Sequence, residues 1–208
     1  MQFCDFFDID ESWVFSEHFL SEKNPVFWLR DVNGAILDVT NETRDRRSGI
    51  PSGCHIGENV FIHESVTLPP ICVIDGPAYI GEGTIVRPFA YVRGNVITGK
   101  KCLIGNSCEL KNSILLDGVQ VPHFNYVGDS VLGNLVHLGA GVILANLRLD
   151  HGEVTIHCDG ERIPTAMRKV GAIIGDRSEI ACNCVLNPGT VVPRHSRIFA
   201  NGAYSRFA

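Results

Sequence analysis

Aliphatic residues recur at every sixth position through a large part of the chain. From Ile56 to Leu110 each sixth residue is aliphatic, with Thr98 as the one exception. A period of six fits neither the 3.6-residue period of an α-helix nor the simple alternation of an isolated strand. It is typical of a stacked repeat in which one side chain of each short rung points inward. The pattern therefore predicts an all-β fold, a left-handed parallel β-helix built from hexapeptide repeats.

Small or slender residues form a second inward set, four positions after each aliphatic residue. The repeat resumes from Ile174 to Ile198, and before that it slips twice, with five-residue steps that follow Leu110 and Val127. Irregular rungs in an otherwise strict repeat are where we expect functional residues. In the first run the small set comprises Val60, Val66, Cys72, Ala78, Thr84, Ala90, Val96, Cys102 and Cys108.

The chain divides where the six-residue period begins. Residues 1–48 lack the period, and we expect them to form an N-terminal cap, with a short helix around 11–20 that covers the open end of the β-helix. Residues 49–208 carry the repeat, interrupted at 146–169 by a projecting loop with a hairpin centred on Asp159–Gly160. A narrow prism buries few side chains, so an outer face is expected to pack against other copies in a homotrimer.

Composition restricts the class of protein. The 208 residues are 45% hydrophobic and 20% charged, which is ordinary for a globular protein, and the net charge of −5 argues against a nucleic-acid partner. The acidic N-terminus lacks the basic start and long apolar run of a secretory signal. We therefore expect a cytoplasmic protein with no membrane partner.

The cysteines follow the repeat. Five of the eight fall in the small inward set and are predicted to be buried free thiols: Cys54, Cys72, Cys102, Cys108 and Cys184. Cys182 and Cys184 form the only closely spaced pair, expected to face the same way along a strand; a metal there stays an alternative. The histidines lack the spacing found in β-helical carbonic anhydrases, so we expect no metal.

Candidate chemistry lies in and before the irregular rungs. Arg93 and Lys111 are one 18-residue coil apart and both follow an inward aliphatic residue, so they should stack on one outer corner with Glu109 nearby. They form either a phosphate clamp or a solvated basic edge. His123 can act as a general base near neutral pH or serve as a surface residue, and Tyr126 follows it. His137, His151 and His157 are expected to be surface residues.

The sequence also resembles a known family. PHxxYVGDS at 122–130 and GAGxxxxN at 139–146 are similar to motifs of the C-terminal acetyltransferase domain of bacterial and archaeal N-acetylglucosamine-1-phosphate uridyltransferases, over about residues 79–200. The resemblance implies transfer of acetyl from acetyl-CoA to the amine of glucosamine 1-phosphate, a step toward UDP-N-acetylglucosamine, without a metal. No Gly-rich nucleotide loop is present, so a free-standing acetyltransferase is expected.

The resemblance also implies roles for individual residues. It assigns the sugar phosphate to Arg93 and Lys111, the general base to His123, and acceptor contacts to Glu109, Tyr126 and Asn146. It places three small residues along the acetyl-CoA groove: Ala140, Cys182 and Ala200. Backbone N–H groups near Gly139–Gly141 are expected to stabilise the oxyanion.

One departure from the family leaves alternatives open. The loop lysine of the family is missing, because Gly152 and Thr155 stand at the expected positions, and Lys169 or Arg148 are the candidate substitutes. The alternatives to glucosamine-1-phosphate acetylation are an acyltransferase for another amino-sugar phosphate, and a catalytically weak trimeric binding or regulatory module for a nucleotidyltransferase.

Overall fold

Short parallel strands wind into three sheets in a computed structural model of the protein, which describes residues 6–42, 49–158, 160–199 and 203–204. Strands are numbered in chain order. Sheet 1 contains β1 (Gly53–Ile56), β3 (Ile71–Asp75), β6 (Tyr91–Arg93), β9 (Glu109–Lys111), β12 (Tyr126–Gly128), β15 (Ile143–Leu144), β20 (Val185–Leu186) and β23 (Ala203–Tyr204). Sheet 2 contains β2 (Val60–Ile62), β4 (Ala78–Ile80), β7 (Val96–Thr98), β10 (Ser113–Leu115), β13 (Val131–Leu132), β18 (Ala172–Ile174) and β21 (Thr190–Val192). Sheet 3 contains β5 (Ile85–Val86), β8 (Leu103–Asn106), β11 (Gln120–His123), β14 (His137–Leu138), β19 (Glu179–Ile180) and β22 (Arg197–Ile198).

The inward aliphatic positions hold the coils in register. Ile74 pairs with Val92, and Val92 pairs with Leu110, on successive strands of sheet 1. After the slips the same column continues from Leu110 to Val127 and then to Leu144, so each irregular coil is one residue shorter with its strand register kept. The predicted fold class, a left-handed parallel β-helix with a partly helical N-terminal segment, is confirmed.

The cysteines of the small inward set line this core as free thiols. Cys72, Cys102, Cys108 and Cys184 are buried and Cys54 is half-buried; burial raises the pKa of Cys102 to about 12. Cys182 departs from the expectation, because it is exposed while Cys184 points inward. The residue between them, Asn183, has a φ of 58° and turns the chain at a corner, so the alternation of a straight strand does not apply.

The described part of the N-terminal segment, residues 6–42, covers a side of the prism rather than its open end. It contains α1 (Ser16–Phe19), a 3₁₀ turn (Phe27–Arg30) and α2 (Val32–Glu42), so the predicted helix at 11–20 is shorter than expected. None of the helices in the described ranges is long and apolar enough to cross a membrane.

Outward aliphatic residues of sheet 2 explain the position of this segment. Ile97, Ile114 and Val131 are fully buried in one cluster with Phe15 and Trp28 of the segment. Because a face with such aliphatic side chains on successive coils cannot stay exposed at low cost, the apolar side of the segment lies on it. The prediction that this segment covers the open end of the β-helix, which was based on the unpaired backbone of the first coil, was wrong.

The insertion at 146–169 contains an antiparallel hairpin, as predicted, although Asp159 of the expected centre lies outside the described residues. Strands β16 (Thr155–Cys158) and β17 (Glu161–Pro164) pair antiparallel, with Cys158 opposite Glu161. The hairpin does not project, because Val154 and Ile156 are buried in the sheet 2 cluster and Arg30 donates from Nη2 to the Thr165 carbonyl oxygen at 2.5 Å. The insertion and the N-terminal segment therefore share one face of the prism.

Candidate functional site

The outer face of sheet 1 brings five of the predicted site residues together. Tyr126 pairs directly with Glu109, and Lys111 pairs with Gly128 on the next coil. Asn146 follows the end of β15, where the chain leaves for the insertion. Because neighbouring parallel strands lie about 4.8 Å apart, side chains on successive coils of this face can touch.

The two predicted cations are present as two ion pairs. Arg93 Nη1 lies 2.6 Å from Glu109 Oε1, and the hydrogen bond to Glu109 raises the pKa of Arg93. Lys111 Nζ lies 3.1 Å from both carboxylate oxygens of Asp129. Since each cation has its own carboxylate, the stack does not suffer the repulsion expected of two bare charges.

Asp129 is a central member of the site that the sequence analysis missed. Its side chain is 5% exposed and also accepts a hydrogen bond from Asn112 Nδ2 at 3.0 Å. It lies at a corner with a φ of 47°, a conformation that Asp and Asn tolerate better than most residues. The signal was in the sequence, because Asp129 follows Lys111 by the same 18 residues that separate Arg93 from Lys111.

Tyr126 and Asn146 are joined by a hydrogen bond beside this pair. Asn146 Nδ2 donates to the Tyr126 hydroxyl at 3.1 Å and to Asp129 Oδ2 at 2.5 Å. Burial, and after it the charge of Asp129, raises the pKa of Tyr126. A Cβ on Gly128 would lie 2.7 Å from both Asn146 Nδ2 and the Tyr126 hydroxyl, so the glycine gives this hydrogen bond its space.

His123 lies one corner earlier in the chain, at the end of β11 in sheet 3. The residue is exposed, and among the described residues no hydrogen bond or ion pair joins its side chain to the sheet 1 group. Its backbone N–H donates to Asn125 Oδ1 at 3.0 Å. Phe124 turns the corner with a φ of 53° and is 61% exposed.

Two of the predicted cofactor residues stack on the same corner as His123. Gly141 N donates to the His123 carbonyl at 3.0 Å, and Asn183 N donates to the Ala140 carbonyl at 2.8 Å. His123, Ala140 and Cys182 therefore occupy successive coils of one corner. Ala200, the third predicted residue, lies outside the described residues.

Two of the backbone groups expected to stabilise an oxyanion are already bonded. Gly139 N–H donates to the Ile180 carbonyl at 2.6 Å, and Gly141 N–H donates to the His123 carbonyl. Both are used in holding successive coils together, so they do not form the predicted oxyanion hole. Tight contact between coils is the cause, since a Cβ on Gly139 would lie 2.5 Å from Cys182 N.

The insertion adds basic residues beside Asp129. A cleft of about 450 Å³ is lined by Asn112, Asp129, Leu147, His151, Met167, Arg168 and Lys169. Arg148 instead pairs with Asp150, with Nε donating to Oδ1 at 2.8 Å. Of the two candidate substitutes for the loop lysine, Lys169 is therefore the one that lines the cleft next to the site.

Other candidate chemistry lies apart from this group. His137 Nδ1 is 2.9 Å from Glu179 Oε2 on the outer face of sheet 3. A second cavity, of about 330 Å³, lies between the N-terminal segment and the prism, with Trp13 and Lys100 in its lining, and contains none of the predicted site residues. In the part of the chain that the structure describes, no group of three or more His, Cys, Asp or Glu side chains is arranged to hold a metal.

Comparison with protein families gives a match over most of the prism. The family described as the GMPPB C-terminal domain matches residues 74–201, which include all of the predicted site residues. A solved structure of a UDP-N-acetylglucosamine acyltransferase covers 72% of this chain with 14% identity and a TM-score of 0.21, a likeness too slight to carry any argument.

Curated relatives are longer proteins that are named bifunctional. A bifunctional sugar-1-phosphate nucleotidylyltransferase/acetyltransferase of Sulfurisphaera tokodaii is 38% identical over 157 residues, 70% of this chain and 39% of that protein. The bifunctional protein GlmU of Methanococcus vannielii is 39% identical over 73% of this chain and 36% of its own length. GlmU of Prochlorococcus marinus is 31% identical over 91% of this chain and 43% of its own length. The chain thus spans about two fifths of the curated relatives it matches.

Proposed function

Because the chain belongs to the family of the GMPPB C-terminal domain, and because its curated relatives include acetyltransferases, we propose that it is an acyltransferase that moves acetyl from acetyl-CoA to the amine of glucosamine 1-phosphate. The product would be a sugar 1-phosphate on which a nucleotidyltransferase can act. The observation that carries the proposal is the sheet 1 group: two cations, a phenol and an amide sit on one face, one corner away from an exposed histidine.

In this reaction Arg93 and Lys111 bind the phosphate and so fix the position of the sugar. Arg93 is 43% exposed and can exchange Glu109 for a phosphate oxygen, which frees the carboxylate to accept a hydrogen bond from the sugar. His123 removes a proton from the amine, the nitrogen attacks the thioester carbonyl, and the CoA thiolate leaves. Orientation of the two substrates supplies a large part of the rate gain.

Acetyl-CoA would lie along the corner formed by successive coils. Small residues there, such as Ala140 and Cys182, leave room for an extended pantetheine arm next to His123. The exposed Phe124, together with Phe89 at 60% exposure, makes this corner apolar. We propose that a homotrimer covers these aromatic side chains, since exposed aromatics near one another favour burial against another copy.

The test is thiol release from acetyl-CoA by the purified protein, with glucosamine 1-phosphate compared with unphosphorylated glucosamine. We expect turnover with the phosphorylated sugar and at least about a hundredfold lower kcat/KM without the phosphate, in keeping with the loss of two charge-assisted contacts of about 1.5–3 kcal/mol each. Equal rates with both sugars would rule out phosphate recognition by Arg93 and Lys111. Absence of turnover with every acceptor would favour the binding or regulatory module.

A different sugar 1-phosphate is the second candidate acceptor. Gly152 and Thr155 replace the lysines expected in the insertion, so its contacts with a sugar differ from those the family resemblance implies. The relative from Sulfurisphaera tokodaii is named for sugar 1-phosphates in general. Galactosamine 1-phosphate in the same assay distinguishes the two: a higher kcat/KM with it would assign the galacto sugar.

Lys169 is expected to take the place of the loop lysine that is missing at 152 and 155, because it lines the cleft beside Asp129. Replacing it with alanine should raise the KM for the sugar phosphate by about tenfold, the loss of one charge-assisted contact, with kcat little changed. Arg148→Ala is the matched control, because Arg148 belongs to the same insertion but pairs with Asp150. Steady-state kinetics with varied acceptor measures both. An unchanged KM for Lys169→Ala, or equal effects of the two variants, would contradict this role.

A further inference from the structure

Asp129 is the point at which the sheet 1 group is held together. Its carboxylate accepts from Lys111 Nζ at 3.1 Å on both oxygens, from Asn112 Nδ2 at 3.0 Å and from Asn146 Nδ2 at 2.5 Å. Its backbone is also fixed, because Asp129 N donates to the Lys111 carbonyl at 2.9 Å and Gly171 N donates to the Asp129 carbonyl at 2.7 Å. These hydrogen bonds fix both the side chain and the backbone of Asp129 in one position.

An ionised carboxylate accepts hydrogen bonds and donates none, so it fixes the direction of every bond around it. One amide hydrogen of Asn146 points to Asp129 and the other to the Tyr126 hydroxyl, which turns the Asn146 oxygen away from both. Since the Tyr126 oxygen already accepts from Asn146, its own O–H is left to donate elsewhere. Lys111 Nζ contacts both oxygens of Asp129 at 3.1 Å, and its side chain is 26% exposed, so the ammonium group can also donate to a ligand.

We infer that Asp129 is the positioning residue of the acceptor site: it sets Lys111 and Tyr126 as donors toward the ligand and the Asn146 oxygen as an acceptor. The identity of the ligand rests on the proposed function, whereas the arrangement of Lys111, Tyr126 and Asn146 around Asp129, called the array below, rests on the contacts above. A ligand that fits must offer anionic or carbonyl oxygens to Lys111 and Tyr126 and a hydroxyl or ammonium to Asn146. A phosphorylated amino sugar carries both kinds of group on one ring.

Asp129→Asn tests the inference because an amide has the same shape but one acceptor oxygen and its own N–H donors. The new N–H₂ group must face either Asn112 or Asn146, which both donate to Asp129, so one of these amides loses its acceptor, and Lys111 keeps only one of its two oxygens. We expect kcat/KM for the sugar phosphate to fall by about 10–100-fold, by analogy with the loss seen when partners that orient the ligands of a metal site are changed. The KM for acetyl-CoA should stay within about twofold, since the proposed cofactor corner lies on other residues.

Asp176→Asn is the matched control. Asp176 is a buried carboxylate that accepts from Asp8 N at 2.7 Å and from Asn134 N at 2.6 Å, on the side of the prism that faces the N-terminal segment. The Asp176→Asn variant should lose about as much thermal stability as Asp129→Asn. It should keep the wild-type kcat/KM when assayed well below its melting temperature. Wild-type kcat/KM in Asp129→Asn, or equal losses in the two variants, would overturn a positioning role.

A spectroscopic readout keeps the test independent of turnover. Burial raises the pKa of Tyr126 first and the charge of Asp129 raises it further, so Asp129→Asn should lower the alkaline pKa of this tyrosine. Ultraviolet difference titration measures it, with Tyr126→Phe identifying the signal. Should the wild-type protein transfer no acetyl group, the proposed function fails, and the titration alone decides: a lowered pKa supports the array, and an unchanged one overturns it.

Discussion

Replacing His123 with alanine is expected to lower kcat by about 10²–10⁴, the contribution of a positioned general base. The fold should be unaffected, because His123 is exposed at the end of β11 and only its backbone takes part in the contacts between coils. Thiol release at saturating concentrations of both substrates measures the effect, and circular dichroism with a melting curve checks the fold. The exposed His55, on the first coil, offers His55→Ala as the matched control, expected to keep the wild-type rate.

The position of His123 makes this prediction specific. The histidine shares a corner with Ala140 and Cys182, whereas the cations and their carboxylates lie on the face that follows. A base between a cofactor corner and an acceptor face can reach the nitrogen that joins the two substrates. A rate equal to that of the wild-type protein in His123→Ala would remove His123 from the mechanism. A lost fold would instead assign it a packing role.

The repeat was predictable because inward positions are set by a single physical requirement, the filling of a narrow prism. Every six-residue rung needs one aliphatic and one small inward side chain, so Ile74, Val92 and Leu110, each one coil of three rungs apart, could be placed from spacing alone. The two five-residue steps were also visible in the sequence. In the structure the coils that contain them are one residue shorter, and their inward residues stay paired with those of the neighbouring coils. The same spacing placed Arg93 and Lys111 on one face, since both follow inward residues.

What covers the outer faces could not be deduced from the inward register. The N-terminal segment lies on sheet 2, where Ile97, Ile114 and Val131 point outward, and the insertion folds onto the same face. These outward aliphatic residues also recur once per coil, so a search for a second stripe in the sequence would have found that face. The open end was predicted instead because its backbone N–H and C=O groups are unpaired, but burial of the outward aliphatic side chains of sheet 2 decides where the segment lies.

Glu109 was expected near the two cations, but Asp129, the carboxylate partner of Lys111, was missed for a different reason. A charge pattern shows which cations share a face but not which acid each one meets, because that depends on the side chain chosen at the corner. Asp129 stands at a corner with positive φ, where Asp, Asn and Gly are expected for conformational reasons alone. An Asp at this position is therefore explained by the backbone alone, and only the side-chain contacts show that it binds Lys111 and Asn146.

Replacing Lys111 with methionine is expected to lower both stability and acceptor use. The Asp129 side chain is 5% exposed and would lose its cation, which should cost about 2–3 kcal/mol of unfolding free energy, somewhat less than for a fully buried pair because Lys111 is 26% exposed. The kcat/KM for the sugar phosphate should fall by about tenfold or more through the lost phosphate contact. Urea denaturation and thiol release measure the two effects.

The double variant Lys111→Met/Asp129→Asn separates the two effects. Removal of both charges leaves no uncompensated carboxylate, so a large part of the lost stability should return, while acceptor use should stay low because the cation and the array around it are both gone. Stability and activity that return together would mean that Lys111 acts on the fold alone and does not bind phosphate. Stability that stays as low as in the single variant would show that the loss comes from the missing packing and hydrogen bonds of Lys111 and not from an unpaired carboxylate at position 129. Recovered stability without recovered activity is the result that a phosphate-binding lysine on a buried carboxylate requires.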